Sequence, residues 1–223
     1  MGREGTRSYV TMPAIGITGG ISTGKTTFVE CLRDIFQERT PQRGVPTTAK
    51  FFDADQAARE LADRDAEVRG LIEKEFGAAV YSSGDLNRAA VRTIVFADAE
   101  KKRALEQILH PRIRRQWRLE AESHRNSAEL FFADIPLLYE TGGETLCDRV
   151  VVVACSPALQ LERLMARTRL GKPEAQQMID AQMPLTEKIG RADHVVWNNG
   201  GRDVLREQAR LLVEFWTTRE VNN

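Results

Sequence analysis

The stretch "IGITGGISTGKTT", Ile15–Thr27, joins a short apolar run to a helical pattern through glycines and hydroxyl residues. Its residues Gly19, Gly24, Lys25 and Thr26 have the spacing G-x-x-x-x-G-K-[ST] of a phosphate-binding loop. Glycines let the backbone wind into a concave turn whose N–H groups all point inward, towards a phosphate at a helix N-terminus. A tight strand-to-helix turn that matches by chance is the alternative, but the flanking strand and helix patterns favour the loop.

The loop predicts a bound nucleoside triphosphate without indicating what is done with it. Lys25 would reach the β- and γ-phosphates, and the Thr26 hydroxyl would be a ligand of Mg²⁺. The residues expected to bind the nucleotide in this loop are Gly20, Ile21, Ser22, Thr23, Gly24, Lys25, Thr26 and Thr27.

Short, nearly continuous apolar runs recur along the chain and alternate with helical patterns. Such runs are typical of parallel strands buried on both faces, so the alternation predicts a three-layer α/β fold with a parallel five-stranded sheet. The predicted strands are Ala14–Thr18, Ala49–Asp53, Glu129–Asp134, Arg149–Ala154 and His194–Asn198. Helical spacing is clearest in Leu105, Ile108, Leu109, Ile113 and Trp117, and again in Leu205, Ala209, Leu212, Val213 and Trp216.

Two helical segments interrupt this alternation. Residues 55–125 show no convincing central strand and are predicted to form a helical insertion, and the Arg-rich residues 163–190 a second one. Residues 14–54, 126–162 and 191–218 would then form the core. A polar loop, Glu38–Lys50, lies between the first helix and the second strand.

The composition excludes several classes of function. Lys plus Arg and Asp plus Glu number 32 each, so the balanced charge gives no general attraction to nucleic acid or an anionic membrane. The three cysteines, Cys31, Cys147 and Cys155, lack metal-type spacing and predict ordinary thiols in a reducing compartment. We expect a cytoplasmic protein, monomeric or weakly oligomeric, with no nucleic-acid or membrane partner.

Further motifs follow the loop in order, and together they are more specific than any one of them. This set resembles the dephospho-coenzyme A kinase family from about Ile15 to about Phe215. The motifs are "FFDADQAARE" (Phe51–Glu60), "GDLNRAAVRTIVF" (Gly84–Phe96), "LHPRIR" (Leu109–Arg114), "DIPLLYE" (Asp134–Glu140), "QLERLMARTRL" (Gln160–Leu170), "AQMPLTEK" (Ala181–Lys188) and "ADHVVWNNGG" (Ala192–Gly201).

The resemblance implies a P-loop kinase with a nucleotide-binding core, a helical coenzyme A domain (55–125) and a helical lid (163–190). Such an enzyme requires Mg²⁺ and moves the γ-phosphoryl group of ATP to the ribose 3′-hydroxyl of dephospho-coenzyme A, the last step of coenzyme A synthesis. Ser22 departs from the glycine or alanine more usual at its position, and Trp197 replaces a smaller polar residue.

Asp53 and Asp55 follow the second predicted strand. In an extended chain their side chains would point to opposite faces, so only one would aim into the cleft. The resemblance implies that Asp55 is the catalytic base; it would orient the hydroxyl and take the proton late in a loose transition state. Asp53 would hold Mg²⁺ through water. The alternative is a helix N-cap, a role that Asp55 could combine with catalysis.

In "LHPRIR", His110 and Arg114 lie four residues apart, on one helical face. The resemblance places this segment by the coenzyme A site, where His110, Arg114 and also Arg88 would contact the substrate. The alternative is a capped, solvated helix, with Pro111 in the first helical turn.

The remaining site residues lie in the second half of the chain. Asp134, at the end of an apolar strand, would lie near Mg²⁺, and the resemblance places its segment at the acceptor pocket, with Leu137 as apolar wall; a strand end followed by a turn is the alternative. Arg163 and Arg167 share a helical face; Arg163 would bind the nucleotide, and Arg167 would neutralise charge on the γ-phosphate, with a solvated face as the alternative. The resemblance places Asn198 beside adenine, where a simple turn is the alternative.

Two other functions share the phosphate loop: a P-loop kinase acting on another small molecule, such as a nucleoside or nucleotide, and a nucleotide-dependent binding or switch protein. The predicted acceptor-side carboxylate of Asp55 and the lid arginine argue against the switch protein, which would need neither.

Overall fold

The computed structural model describes residues 13–40, 47–82, 84–125, 127 and 129–219. Its strands are β1 (Ala14–Gly19), β2 (Ala49–Asp53), β3 (Leu130–Asp134), β4 (Arg149–Ala154) and β5 (His194–Trp197). Its helices are α1 (Lys25–Glu38), α2 (Ala54–Arg64), α3 (Ala66–Phe76), α4 (Arg88–Ala97), α5 (Ala99–His124), α6 (Pro157–Thr168), α7 (Lys172–Asp180), α8 (Leu185–Arg191) and α9 (Arg202–Arg219). Residues 41–46 of the predicted polar loop lie outside the described residues.

The strands form a parallel five-stranded sheet in the order β2-β3-β1-β4-β5. Strand β1 is central, with Ile17 opposite Asp134 of β3 and Val151 of β4. The predicted sheet is confirmed, and the strand ends differ from prediction by one residue at most. Because parallel strands end at a common edge, the chain segments after β1, β3, β4 and β5 leave the sheet on the same side.

The core forms where apolar strand residues meet α1 and α9. Ile15, Phe132 and Val153 of the sheet are fully buried against Phe28 of α1 and Val213 of α9. Helix α8 packs near β4, so helices lie on both faces of the sheet, which is the predicted three-layer arrangement.

The chain divides into two compact units, one of Met1–Phe52 with Glu120–Asn223 and the other of Asp53–Leu119. The second unit is helical and has its own apolar cluster, centred on the fully buried Val68 and Ile72. Tyr81 packs in this cluster and its hydroxyl donates to the Ala62 carbonyl over 2.7 Å, which satisfies its buried polar atom.

Two local expectations were wrong. Helix α2 begins at Ala54, so Asp53 and Asp55 are not an extended pair; Asp53 is the N-cap and accepts a hydrogen bond from the Gln56 N–H over 2.9 Å. Pro111 does not begin a helix but lies inside α5, whose apolar spacing continues across it. The packing of that apolar face, which buries Trp117, stabilises the helix despite the missing backbone donor.

All three cysteines are free thiols, as predicted, and burial raises the pKa of Cys147 to about 12. Among the described helices, none combines the length and the apolar character needed to cross a membrane.

Candidate active site

The phosphate loop runs from the end of β1 to the start of α1, and two of its residues have left-handed backbone. Gly24, the N-cap of α1, has φ 95°, and a Cβ there would lie 1.9 Å from Nδ2 of Asn198. This position therefore requires glycine for conformation and for space. Ser22 has φ 60° and a buried hydroxyl with no hydrogen-bond partner among the described residues.

Side chains from distant parts of the chain bond to the outward-facing peptides of the loop. Gln160 donates to the Ile21 carbonyl and Gln182 accepts from the Ile21 N–H, each over 2.9 Å. Asn198 donates to the Thr23 carbonyl, also over 2.9 Å. The expectation that every N–H group of the loop points inward is wrong for Ile21, whose N–H is bonded to Gln182, and for Thr23, whose N–H donates to the Gly20 carbonyl over 3.3 Å.

Lys25 and Asp134 form a direct ion pair between the first residue of α1 and the last residue of β3. Their side chains are 15% and 13% exposed, so the pair is largely shielded from water. The pairing of β1 with β3 brings them together, because Asp134 lies opposite Ile17, just before the loop. A cation and a carboxylate therefore share the mouth of the phosphate loop.

A cavity of about 270 Å³ opens beside the loop, lined by Gly24, Thr27, Arg163, Asn198, Gly200 and Arg202. Arg163 donates to the Asn198 carbonyl over 3.0 Å, which holds the guanidinium at the cavity wall. The structure thus places Arg163 and Asn198 together with Gly24 and Thr27, whereas Arg167, in the last turn of α6, is exposed.

Five of the sequence-predicted residues belong to the second unit: Asp53, Asp55, Arg88, His110 and Arg114. Asp55 lies in the first turn of α2, directly after its Asp53 cap. His110 is half-buried and Arg114 exposed, one turn apart on α5.

Arg88 begins α4 and forms an ion pair with Asp63 in the same unit. Burial raises the pKa of Asp63, but hydrogen bonds from Arg88 and the Leu86 N–H outweigh it, so the pKa lies below its ordinary value. Arg88 therefore already has an anionic partner.

The oxygen donors in the first unit suit Mg²⁺. This ion is commonly held by one or two protein oxygens together with water and substrate phosphate oxygens. Thr26 is exposed at the start of α1, and the Asp134 carboxylate lies at the mouth of the loop.

The predicted wall residue Leu137 lies three residues after Asp134 and is half-buried, while Leu138 beside it is fully buried.

Gln160 and Gln182 are functional candidates that the sequence did not reveal. Both lie in the motifs quoted above, but each is 139 or more residues from its partner Ile21, and nothing in the motifs indicated this contact. Only the fold shows that both bond to the phosphate loop.

The parallel sheet, the glycine-rich loop after its central strand and the lysine–aspartate pair define a P-loop kinase. The sequence model of the dephospho-CoA kinase family matches residues 13–203. The chain belongs to the dephospho-CoA kinase family.

Individual relatives agree with the family match. The chain is 43% identical to the dephospho-CoA kinase of Anaeromyxobacter dehalogenans, covering 92% of each chain. It is 36% identical to that of Bacillus cereus, covering 91% of this chain and 96% of the relative. The structure of the dephospho-CoA kinase from Campylobacter jejuni aligns with a TM-score of 0.69 at 25% identity, over 92% of this chain and 98% of the other.

Proposed function

We propose that the chain is a dephospho-CoA kinase that transfers the γ-phosphoryl group of ATP to the ribose 3′-hydroxyl of dephospho-CoA, giving CoA and ADP. Membership of the family supports the acceptor, and the Lys25–Asp134 pair beside the phosphate loop carries the phosphoryl-transfer chemistry. A lysine at this position neutralises the β- and γ-phosphates, since charge on the transferred group is spread over its oxygens in the transition state.

Residues of the first unit would bind ATP. The loop amides of Gly20–Thr27 other than those of Ile21 and Thr23 would surround the phosphates, while Arg163 and Asn198 would contact the nucleotide in the cavity that they line. When ATP binds with its metal, the Lys25–Asp134 pair would have to separate. Lys25 would then contact the phosphates, and Asp134 would be available to hold Mg²⁺. Arg167, which is exposed in the last turn of α6, would approach the γ-phosphate.

Thr26 and Asp134 would hold Mg²⁺, with Asp53 contributing through water. When bound, the ion would supply positive charge that offsets the negative charge of the phosphate oxygens. Asp53 already caps α2 through Oδ1, so a contact through water suits it better than a direct one.

Residues of the second unit would bind and orient the acceptor. Asp55 would accept a hydrogen bond from the 3′-hydroxyl and receive its proton late, because a loose transition state does not require the hydroxyl to be deprotonated before the phosphoryl group transfers. Arg88, His110 and Arg114 would contact phosphates or adenosine of dephospho-CoA, with Leu137 as apolar wall. Residues 55–125 would form the coenzyme A domain and residues 163–190 the lid, which would exclude water from the γ-phosphate.

We further propose that the enzyme works in the cytoplasm as a monomer or weak oligomer, without nucleic-acid or membrane partners. The balanced charge, with 32 residues of each sign, supports this proposal because it offers no general electrostatic attraction to either polyanion.

A coupled assay of ADP release tests the reaction. Wild type should release ADP when given dephospho-CoA and ATP, and mass spectrometry should show one phosphoryl group added to the acceptor. Asp55→Ala should lose most of the turnover while its ATP affinity stays within several-fold, since the carboxylate acts on the acceptor. Glu60→Gln, on the same helix, is the control. Transfer to a nucleoside but not to dephospho-CoA would overturn the proposal.

A further inference from the structure

Lys188 is a fully buried cation in the first unit, one turn from the start of α8. Its ammonium lies 2.8 Å from Oε1 of Glu140 and donates to the carbonyls of Gly19, over 3.2 Å, and Pro136, over 3.3 Å. An ammonium has three N–H groups, so these three acceptors satisfy it completely.

The two carbonyls belong to the two sides of the proposed phosphate site. Gly19 is the first residue of the phosphate loop, and Pro136 lies two residues after Asp134, the partner of Lys25. The Thr18 hydroxyl donates to the same Pro136 carbonyl over 3.0 Å. One ammonium therefore fixes the distance between the peptide that begins the loop and the segment that carries Asp134.

Glu140 extends this arrangement to the turn before α8. Its Oε1 also accepts from the Met183 N–H over 3.1 Å, and the neighbouring Gln182 accepts from Ile21. Because the Glu140 side chain is only 21% exposed, it can balance the buried charge of Lys188 with little screening by water.

Stability alone does not account for a lysine here. Burying an ammonium costs several kcal/mol before its partners offset the loss, and an apolar side chain of similar length is often as stable or more so. What an apolar side chain cannot do is bond two carbonyls at once.

We propose that Lys188, with Glu140, is a positioning residue that holds the phosphate loop and the Asp134 segment at the spacing that Mg-ATP requires. The inference rests on the proposed function, because it assigns Lys188 a part in ATP binding. Removing the ammonium should weaken Mg-ATP binding by about tenfold or more, as losses of partners that orient direct ligands commonly do in metal sites. Dephospho-CoA affinity should fall much less, because Lys188 bonds none of the second-unit residues proposed to contact the acceptor and touches the acceptor side only through Pro136, next to Leu137.

The variant Lys188→Met tests this, with Lys172→Met as control, since Lys172 is an exposed lysine of α7 in the same insertion. Isothermal titration calorimetry with Mg-ATP and, separately, with dephospho-CoA gives the two affinities, and thermal unfolding gives stability. A selective loss of Mg-ATP affinity supports the proposal. Unchanged Mg-ATP affinity, or equal losses for both ligands that follow a fall in melting temperature, overturns it.

If Lys188→Met folds poorly, the double variant Lys188→Met with Glu140→Gln still tests whether Lys188 contributes to Mg-ATP binding. Its glutamine still accepts from Met183, and no unpaired charge remains. The proposal predicts restored stability with Mg-ATP affinity still reduced about tenfold; recovery of both together would overturn it. Should wild type bind Mg-ATP yet fail to phosphorylate dephospho-CoA, the proposed function falls while these ATP titrations still decide the role of Lys188.

Discussion

Gly24 and Asn198 approach so closely that a single added carbon would collide. The Asn198 amide donates to Thr23 next to Gly24, and a Cβ on Gly24 would lie 1.9 Å from its nitrogen. The end of β5 thus holds the phosphate loop at the start of α1, although 174 residues separate the two positions in the sequence (198 − 24).

Gly24→Ala should therefore unfold more easily than wild type and bind ATP poorly. The left-handed backbone at Gly24 alone costs about 1–2 kcal/mol for alanine, and the collision adds to it. Urea unfolding and ATP titration measure the two effects. Gly70→Ala is the matched control: nothing lies within 4 Å of its added carbon, so it should gain about 0.5–1 kcal/mol of helix stability. Equal behaviour of the two variants would contradict the geometry.

Asp134→Asn should separate binding of ATP from binding of its metal complex. The amide keeps the shape but removes the charge that pairs with Lys25 and would hold Mg²⁺. ATP without metal should bind at least as well as to wild type, because repulsion with the phosphates disappears, whereas Mg-ATP should bind about tenfold less tightly. Titrations with and without Mg²⁺ give the ratio, and Asp203→Asn, an exposed acid of α9, is the control. A ratio equal to that of wild type would refute a metal role for Asp134.

Arg167→Ala should lower turnover without lowering stability. The side chain is exposed in the last turn of α6, so its removal should change the free energy of unfolding by less than about 0.5 kcal/mol. An arginine that neutralises the γ-phosphate contributes about 10³-fold or more to rate. Steady-state kinetics compared with Lys172→Ala measures this; an unchanged kcat would assign Arg167 to the solvated face instead.

His194 should make folding stability depend on pH. Burial lowers the pKa of His194; the charge of Asp193 opposes this shift and that of Arg149 adds to it. The Trp216 indole N–H donates to His194 Nε2 over 3.4 Å, which requires the neutral ring. The unfolded chain therefore binds the proton more readily. The stabilisation is present above the ordinary pKa of about 6.5 and declines as pH falls through that value towards the lower folded pKa.

Urea unfolding of wild type and His194→Gln at pH 7.5 and 5.5 checks this expectation. Wild type should lose more stability than the variant on acidification. A parallel loss in both proteins would show that other groups carry the pH dependence.

The sheet could be predicted from sequence because its strands are apolar runs with clear boundaries, and the phosphate loop because its glycines and lysine have fixed spacing. The start of α2 was missed, since "DADQ" offers two aspartates as caps and only the geometry shows that Asp53 bonds to Gln56. The apolar spacing from Leu105 to Trp117 predicted a helix across Pro111, whereas the alternative that placed Pro111 in a first helical turn was wrong.

The contacts that fix the phosphate loop from outside lay beyond sequence reasoning for a different reason. Gln160, Gln182 and Lys188 meet the loop through single hydrogen bonds across more than a hundred residues, and such pairs leave no period or spacing in the sequence. The roles assigned to individual site residues, and the boundaries of the proposed lid, remain predictions for the experiments above.

The hydrogen bonds of Gln160, Gln182 and Lys188 to the phosphate loop also limit which part of the second insertion, residues 163–190, can move. Gln160 bonds the Ile21 carbonyl and Gln182 the Ile21 N–H, so the two hold the peptides on either side of this residue, and Lys188 lies beyond them in the chain. A movement that keeps these bonds, and also the bond from Arg163 to Asn198, is confined to residues 164–181, which include Arg167 and all of α7. Helix α8 would then stay in place while this short segment moves, and release of ADP would require the movement of that segment alone.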